Sequence, residues 1–113
     1  MERKIFRLIT LKEATDFIHG LPDKAREKVF YNIRKVQAGV RDDELFKKLN
    51  DNIWEFRTLW QGTAYRLFAF WDKETETLIV ATHGISKKTQ KTPNKEINKA
   101  ETIRKEYFNS KNK

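Results

Sequence analysis

The sequence contains no cysteine, and this absence excludes several kinds of protein at once. A chain without thiols cannot form a disulfide framework, a thiolate zinc site or a cysteine nucleophile. Its two histidines, His19 and His83, are too few for a histidine-rich metal site. No apolar run approaches the roughly 20 residues that a membrane-spanning helix needs, and the N-terminal segment is unlike a signal peptide. We therefore expect a cytoplasmic protein.

The usual sequence signatures of catalysis are also missing. The four glycines are scattered along the chain, so it has no glycine-rich loop for nucleotide phosphates. Ser86 and Ser110 lack the surroundings of an activated nucleophile. His19 is expected near the end of a helix, where a capping or surface role is favoured over catalysis. Any acid–base chemistry must therefore come from lysine, arginine, glutamate, tyrosine or His83.

Length and aromatic content are sufficient for one folded domain. The chain has 113 residues, of which 38% are hydrophobic and 14 are phenylalanine, tryptophan or tyrosine. Large aromatic side chains bury on the order of 150–250 Å² each, so a few of them can hold a small core. We expect a single domain that spans residues 1–113, because two independent cores would need a longer chain.

Positive charge is in excess and is unevenly distributed. The net charge is +8, and residues 85–113 carry nine basic and three acidic side chains. A basic C-terminal third on a small domain indicates a polyanionic partner, most often a nucleic acid. A solvated lysine-rich tail that keeps the protein in solution is an equally good interpretation of the charge alone.

The N-terminal part of the chain predicts a strand followed by two helices. Residues 4–9 are rich in β-branched and apolar residues, which favours a strand. A short helix is expected from Leu11 to about Ile18, ending at Gly20, and a longer helix is expected to end near Gly39. The longer helix has apolar residues at spacings of four, four and three on one face: Ala25, Val29, Ile33 and Val36.

The rest of the chain predicts an antiparallel meander and a final helix. Residues 46–49 form a short candidate strand, and the patterns at 53–60, 64–71 and 78–83 predict three strands joined by hairpins. Helical spacing returns from about residue 93 to 108. The predicted class is α+β with the order β-α-α-β-β-β-α, in which an N-terminal helical hairpin packs on a small, mostly antiparallel sheet.

Two charged residues share one face of the first hairpin strand. Alternation places Glu55 and Arg57 together and sends the aromatic residues of this strand to the opposite face. Arg66, on the next strand, joins them only if the register allows it, and the sequence does not determine the register. Two arginines in a sheet can bind a phosphate and stabilise the charge that develops during phosphoryl transfer. Ion pairs on an exposed sheet face are the alternative.

A run of lysines and threonines follows the last predicted strand. Residues 87–92 include three lysines, Lys87, Lys88 and Lys91, and two threonines, Thr89 and Thr92. Such residues suit contacts with a phosphate backbone. Charge runs of this kind are more often simply solvated, so the run is a weak signal by itself.

Taken together, these segments resemble the phage-derived HigB-type branch of the RelE/ParE toxin superfamily. The resemblance extends from Leu49 to about Tyr107, and the N-terminal strand and helices match in layout only. The segments that carry it are Trp-Glu-Phe-Arg at 54–57, Tyr-Arg-Leu at 65–67, His83-Gly84, Lys-Lys-Thr-Gln-Lys-Thr-Pro at 87–93, Glu96-Ile97 and Ala100. The chain departs from the family at Ile85, where a phenylalanine is common.

The resemblance implies a RelE-like fold and the toxin of a two-gene toxin–antitoxin module. Such toxins are endoribonucleases that cleave mRNA in the ribosomal A site without a metal or a cofactor, because the 2′-hydroxyl of the RNA is the nucleophile. The implied partners are the ribosome, mRNA and a helix-turn-helix antitoxin of the HigA type.

The resemblance also implies roles for individual residues. Arg57 and Arg66 would stabilise the phosphate, and Glu55 or His83 would accept or donate a proton. For Glu55, orienting Arg57 is an equally good interpretation, and a buried role for His83 is favoured over catalysis. The residues that would hold the RNA backbone are Lys87, Lys88, Lys91 and Thr89, with Lys88 near the reacting phosphate. Tyr107 would either act in the site, as a C-terminal tyrosine does in some relatives, or anchor the last helix.

Two other functions fit the same sequence. A ParE-like toxin would inhibit DNA gyrase and would cleave no RNA. A non-catalytic RNA- or ribosome-binding module would use the basic residues for binding alone, and its affinity would decrease steeply with salt.

Overall fold

A computed structural model describes residues 4–75, 78–88 and 91–111 of the chain. Thr89, which was predicted to contact RNA, lies outside the described residues. No helix in the described part is long and apolar enough to cross a membrane. The elements are β1 (Arg7–Thr10), α1 (Lys12–His19), α2 (Asp23–Gln37), β2 (Phe46–Lys48), β3 (Ile53–Trp60), β4 (Thr63–Asp72), β5 (Leu78–Lys87) and α3 (Asn94–Lys111).

The five strands form one sheet in the order β1-β5-β4-β3-β2. Strands β2 to β5 pair in antiparallel fashion, and β1 pairs with β5 in parallel. The predicted α+β class and the mostly antiparallel sheet are therefore confirmed. The short candidate strand at 46–49 is a true edge strand, β2, so the order is β-α-α-β-β-β-β-α.

Two elements extend further than the sequence predicted. β5 continues four residues past His83 to Lys87, because β4 offers a partner as far as Ala64. Of these four residues only Ile85 favours a strand by itself, so cross-strand hydrogen bonds decide this length. α3 continues to Lys111 rather than ending near residue 108.

Helices α1 and α2 pack on one face of the sheet and form its apolar core. The predicted apolar face of α2 is confirmed, because its four residues are at most 4% exposed. α2 ends at Gln37, and the left-handed φ of +106° at Gly39 fits the predicted stop. The sheet residues buried in this core include Phe56, Leu67, Ala69, Ile79 and Ala81.

Helix α3 covers the other face, where Ile97, Ala100, Tyr107 and Phe108 pack on a second, smaller apolar cluster and several polar contacts add to the packing. Ala100 is its one fully buried residue. Lys99 Nζ lies 2.7 Å from Glu13 Oε1, and the Tyr107 hydroxyl donates a hydrogen bond of 2.7 Å to Asp72 Oδ2. Burial and then this hydrogen bond raise the pKa of Tyr107 to about 12. Tyr107 therefore anchors α3, as one of its two predicted roles requires.

Gly84 is required by the close packing of α1 on β5. A Cβ atom at Gly84 would lie 2.2 Å from Cδ2 of Phe17, much closer than two carbon atoms approach. We expect Gly84→Ala to displace the Phe17 ring and to lower the free energy of unfolding by about 1–3 kcal/mol, measured by urea denaturation. The same change in a Phe17→Ala background should have a much smaller effect. An equal loss in both backgrounds would show that the ring is not the cause.

Candidate active site

A buried carboxylate lies at the centre of the site. Glu55 on β3 and Arg66 on β4 have side chains that are 0% and 1% exposed. Arg66 Nη1 donates a hydrogen bond of 2.9 Å to Glu55 Oε1 and one of 2.7 Å to the Thr92 hydroxyl. Thr92 in turn donates a hydrogen bond of 2.8 Å to Glu55 Oε2. The ion pair considered from the sequence is therefore present, but it is buried rather than exposed.

Arg57 is the third charged member of this cluster. It lies directly opposite Arg66 in the β3–β4 register, so both side chains are on the sheet face of Glu55. Arg57 Nε is 3.3 Å from Glu55 Oε1, and Arg57 Nη1 donates a hydrogen bond of 3.3 Å to the carbonyl oxygen of Asp43. One carboxylate between two guanidinium groups gives the Glu55–Arg57–Arg66 cluster a net charge of +1.

The cluster opens into a cleft of about 230 Å³ at the end of the sheet where β3 turns into β4. The side chain of Arg57 is 19% exposed, so it reaches solvent here while Arg66 forms part of the floor. Exposed Glu44 lies at the rim. The residues lining the cleft are Glu44, Arg57, Thr58, Leu59, Ala64 and Arg66. A positive charge held at the floor of a small polar cleft can bind an anion such as a phosphate group.

Of the predicted RNA-binding lysines, Lys87 lies nearest the cleft. It is half-buried and pairs with Ala64, so its side chain is on the sheet face of Arg66. Lys88 follows the end of β5, and both Lys88 and Lys91 are exposed. The structure thus places one lysine beside the cleft and two on the adjoining surface.

His83 lies beneath α3 and is not among the residues that line the cleft. It is 3% exposed and stacks on the ring of Phe68, with the ring centroids 4.8 Å apart. His83 Nε2 is 3.0 Å from Glu96 Oε1, and Nδ1 is 2.9 Å from the Thr82 hydroxyl. Burial lowers the pKa of His83, while the hydrogen bond to Glu96 opposes this shift. Burial therefore favours the neutral form of the imidazole.

Two contacts of this site had no signal in the sequence. Thr92 stood in the lysine-rich run as a candidate for RNA contact, but its hydroxyl is bound to Glu55 and Arg66. Glu96 was noticed only as part of the resemblance, and it is the partner of His83.

Within residues 4–75, 78–88 and 91–111, no group of three or more histidine, cysteine, aspartate or glutamate side chains could hold a metal ion.

Removing the charge of Glu55 should destabilise the protein strongly. Glu55→Gln leaves two guanidinium groups facing a neutral amide, and we expect the free energy of unfolding to decrease by about 3–5 kcal/mol. Thr92→Val, which removes one hydroxyl, should cost about 1–3 kcal/mol. Urea denaturation measures both. Glu55→Gln combined with Arg66→Met should cost less than the sum of the two single changes, and strict additivity would contradict the coupling.

Neutral His83 should make the stability depend on pH. Because burial lowers its pKa from the ordinary value of 6.5, the stabilisation is complete above that pH and decreases as the pH falls through the lowered pKa. We expect the free energy of unfolding to decrease as the pH falls below about 6.5, and to decrease less in His83→Gln. Equal pH dependence of the two proteins would contradict this account.

Comparisons with known proteins agree with this architecture. In a comparison with curated protein sequences, none matches the chain. The structure is similar to that of the Escherichia coli toxin RelE, solved in the free state as a double arginine-to-alanine mutant. The TM-score is 0.56 and the sequence identity is 14%, and the match covers 71% of this chain and 81% of that one. It is also similar to a chain of the intact Escherichia coli RelBE toxin–antitoxin complex, with a TM-score of 0.54 and 16% identity over 76% of this chain and 99% of that one.

At these identities the similarity shows a shared fold, so the expected RelE-like fold is confirmed. The model of the phage-derived Gp49-like protein family matches residues 16–105, a range that includes every residue lining the cleft. The chain therefore belongs to the phage-derived Gp49-like family and has the fold of the RelE toxins.

Proposed function

We propose that this protein is the toxin of a toxin–antitoxin module and that it acts as a ribosome-dependent mRNA endoribonuclease of the HigB type. The observation that carries the proposal is the cleft beside the Glu55–Arg57–Arg66 cluster, where two guanidinium groups share one buried carboxylate. The remaining positive charge suits a phosphate of RNA. The RelE-like fold adds support, because one of the similar structures is a toxin–antitoxin complex.

The proposed reaction is an internal transesterification of RNA. The 2′-hydroxyl attacks the adjacent phosphorus, so the O2′–P bond forms and the P–O5′ bond breaks. The 2′-hydroxyl gives its proton to solvent water and O5′ takes one from solvent water, which leaves a 2′,3′-cyclic phosphate and a 5′-hydroxyl end. The protein has to stabilise the extra negative charge on the phosphate oxygens and to position the reacting groups.

Arg57 and Arg66 supply the charge stabilisation in this proposal. Arg57 reaches solvent in the cleft and contacts a phosphate oxygen directly, while Arg66 acts from the floor. A charge in a partly dehydrated cleft acts more strongly than the same charge in water, and the protein holds it in place before the reaction begins. Glu55 is a positioning residue, because its carboxylate holds both guanidinium groups on one side of the sheet.

The lysines bind the RNA on either side of the reacting phosphate. Lys87 lies beside the cleft, and exposed Lys88 and Lys91 continue the positive surface toward α3. In this proposal Lys88, and Thr89 with it, contact the backbone next to the scissile bond. His83 takes no part in binding and supports the site from beneath α3, through Phe68 and Glu96.

The proposed partners are those of a toxin that acts on translation. They are mRNA, the ribosome and an antitoxin of the helix-turn-helix HigA type, and the proposed location is the cytoplasm. The antitoxin is expected because a structurally similar chain comes from a toxin–antitoxin complex. A basic toxin with a net charge of +8 attracts an acidic segment of such a partner.

Brief induction of the protein in a bacterial host tests the proposal. We expect growth arrest and new mRNA ends inside translated reading frames, with 5′-hydroxyl groups at the cut sites. Arg57→Gln should lower the frequency of cleavage by about 100-fold or more, because it removes one charge that stabilises the transition state. Lys105→Gln is the matched control, since Lys105 is exposed on α3. It should cleave like the unchanged protein.

The other outcomes each overturn the proposal. Growth arrest with intact mRNA and inhibited gyrase would identify a ParE-like toxin. No arrest and no cleavage would leave a non-catalytic RNA-binding module. Circular dichroism should show that Arg57→Gln is folded. If Arg57→Gln and Lys105→Gln cleave mRNA equally often, the cleft is not the active site.

A further inference from the structure

The outer face of α2 carries a row of basic and aromatic side chains that the cleft does not use. Lys24, Lys28, Tyr31 and Lys35 recur at positions i, i+4, i+7 and i+11, so they share one helix face. Tyr31 is 50% exposed. The ammonium groups of Lys28 and Lys35 lie 5.2 and 5.3 Å from the centre of its ring. These cation–π contacts hold two positive charges over the ring of this half-exposed tyrosine.

A shallow hollow of about 380 Å³ lies between this face and the end of β3. Its lining combines two aromatic rings, Tyr31 and Trp60, with Lys24, Lys28 and Glu27. Glu27 is its one acidic residue, and its carboxylate is 3.8 Å from Lys24 Nζ. We call Lys24, Lys28, Tyr31, Lys35 and Trp60 the α2 surface.

Helix α2 is joined to β3, beside the cleft, by a buried hydrogen bond. The side-chain amide of Asn32, the residue after Tyr31, donates a hydrogen bond of 3.1 Å to the Thr58 hydroxyl. Thr58 lines the cleft, and Trp60 follows two residues later on β3. Three residues of a strand span about 10 Å, so Trp60 and Arg57 are close along β3 but on opposite sheet faces. A strand passing around the β3–β4 turn would reach both places.

We propose that the α2 surface binds a nucleotide of the same single-stranded RNA whose phosphate occupies the cleft. The base stacks on Trp60 and on the Tyr31 ring, where it takes the place of the Lys28 ammonium group, and its phosphate contacts Lys24 and the displaced Lys28. Aromatic rings beside lysines are the combination that binds single strands without sequence preference. Trp60 lies about 10 Å along β3 from Arg57, so one RNA strand can reach both sites, and this proximity favours RNA over an acidic protein segment. This inference rests on the proposed function only in taking RNA as the ligand of the cleft.

Binding of short labelled single-stranded RNA to the purified full-length protein tests the inference, with no ribosome present. Stacking contributes about 1–3 kcal/mol per base, so Tyr31→Ala should weaken binding about 5- to 100-fold, and Tyr31→Phe should restore it. Lys28→Gln should weaken binding and reduce the slope of log affinity against log salt by about 0.7, the value for one phosphate contact on a single strand. Tyr31→Ala should leave this slope unchanged.

Lys12→Gln is the matched control, because Lys12 is exposed on α1 and lies outside the α2 surface. If it weakens binding as much as Lys28→Gln does, non-specific attraction explains the effect and the inference is wrong. Unchanged RNA affinity in Tyr31→Ala also overturns the inference. If that variant keeps its RNA affinity but no longer binds the ribosome, the α2 surface contacts the ribosome instead. The binding assay measures no cleavage. A protein that binds RNA through the α2 surface but cleaves no mRNA would therefore contradict the proposed function and leave this inference standing.

Discussion

The burial of Glu55 is the constraint on which the site depends. A carboxylate without access to water must be paired and hydrogen-bonded, or the folded state loses several kcal/mol. Three separate parts of the chain meet this requirement: Arg57 on the same strand, Arg66 on the next strand and Thr92 before α3. A slip of one residue between β3 and β4 would move Arg66 to the other sheet face and leave Glu55 without its main partner. The Glu55–Arg57–Arg66 cluster therefore favours the observed register of β3 and β4 over a register shifted by one residue.

The two faces of the sheet bury different kinds of side chain. The face under α1 and α2 is packed with aliphatic and aromatic side chains and supplies most of the apolar burial. The face under α3 contains the buried charged and titratable groups of the sheet, namely Glu55, Arg66, Asp72 and His83. Apolar packing on one side thus gives a rigid support on which polar groups can be held on the other.

The end of the sheet at the β3–β4 turn combines the features on which the proposed RNA binding rests. The cleft with its two arginines lies on one face there, and the α2 surface with Tyr31 and Trp60 lies on the other. The fold is shared with toxins of known structure, but a fold by itself does not determine an activity. The proposed function therefore depends on the charges and aromatic rings at this end of the molecule.

The sequence by itself determined the elements and the faces of their side chains, because the periodicities of helices and strands are local properties of the chain. It thus predicted the apolar face of α2, the meander, and the common face of Glu55 and Arg57. The tertiary structure decided the pairing of Arg57 with Arg66, the parallel strand β1, the contact of Thr92 with Glu55 and the place of His83 under α3. Each of these depends on register or on residues distant in sequence, and such contacts leave no periodic signal.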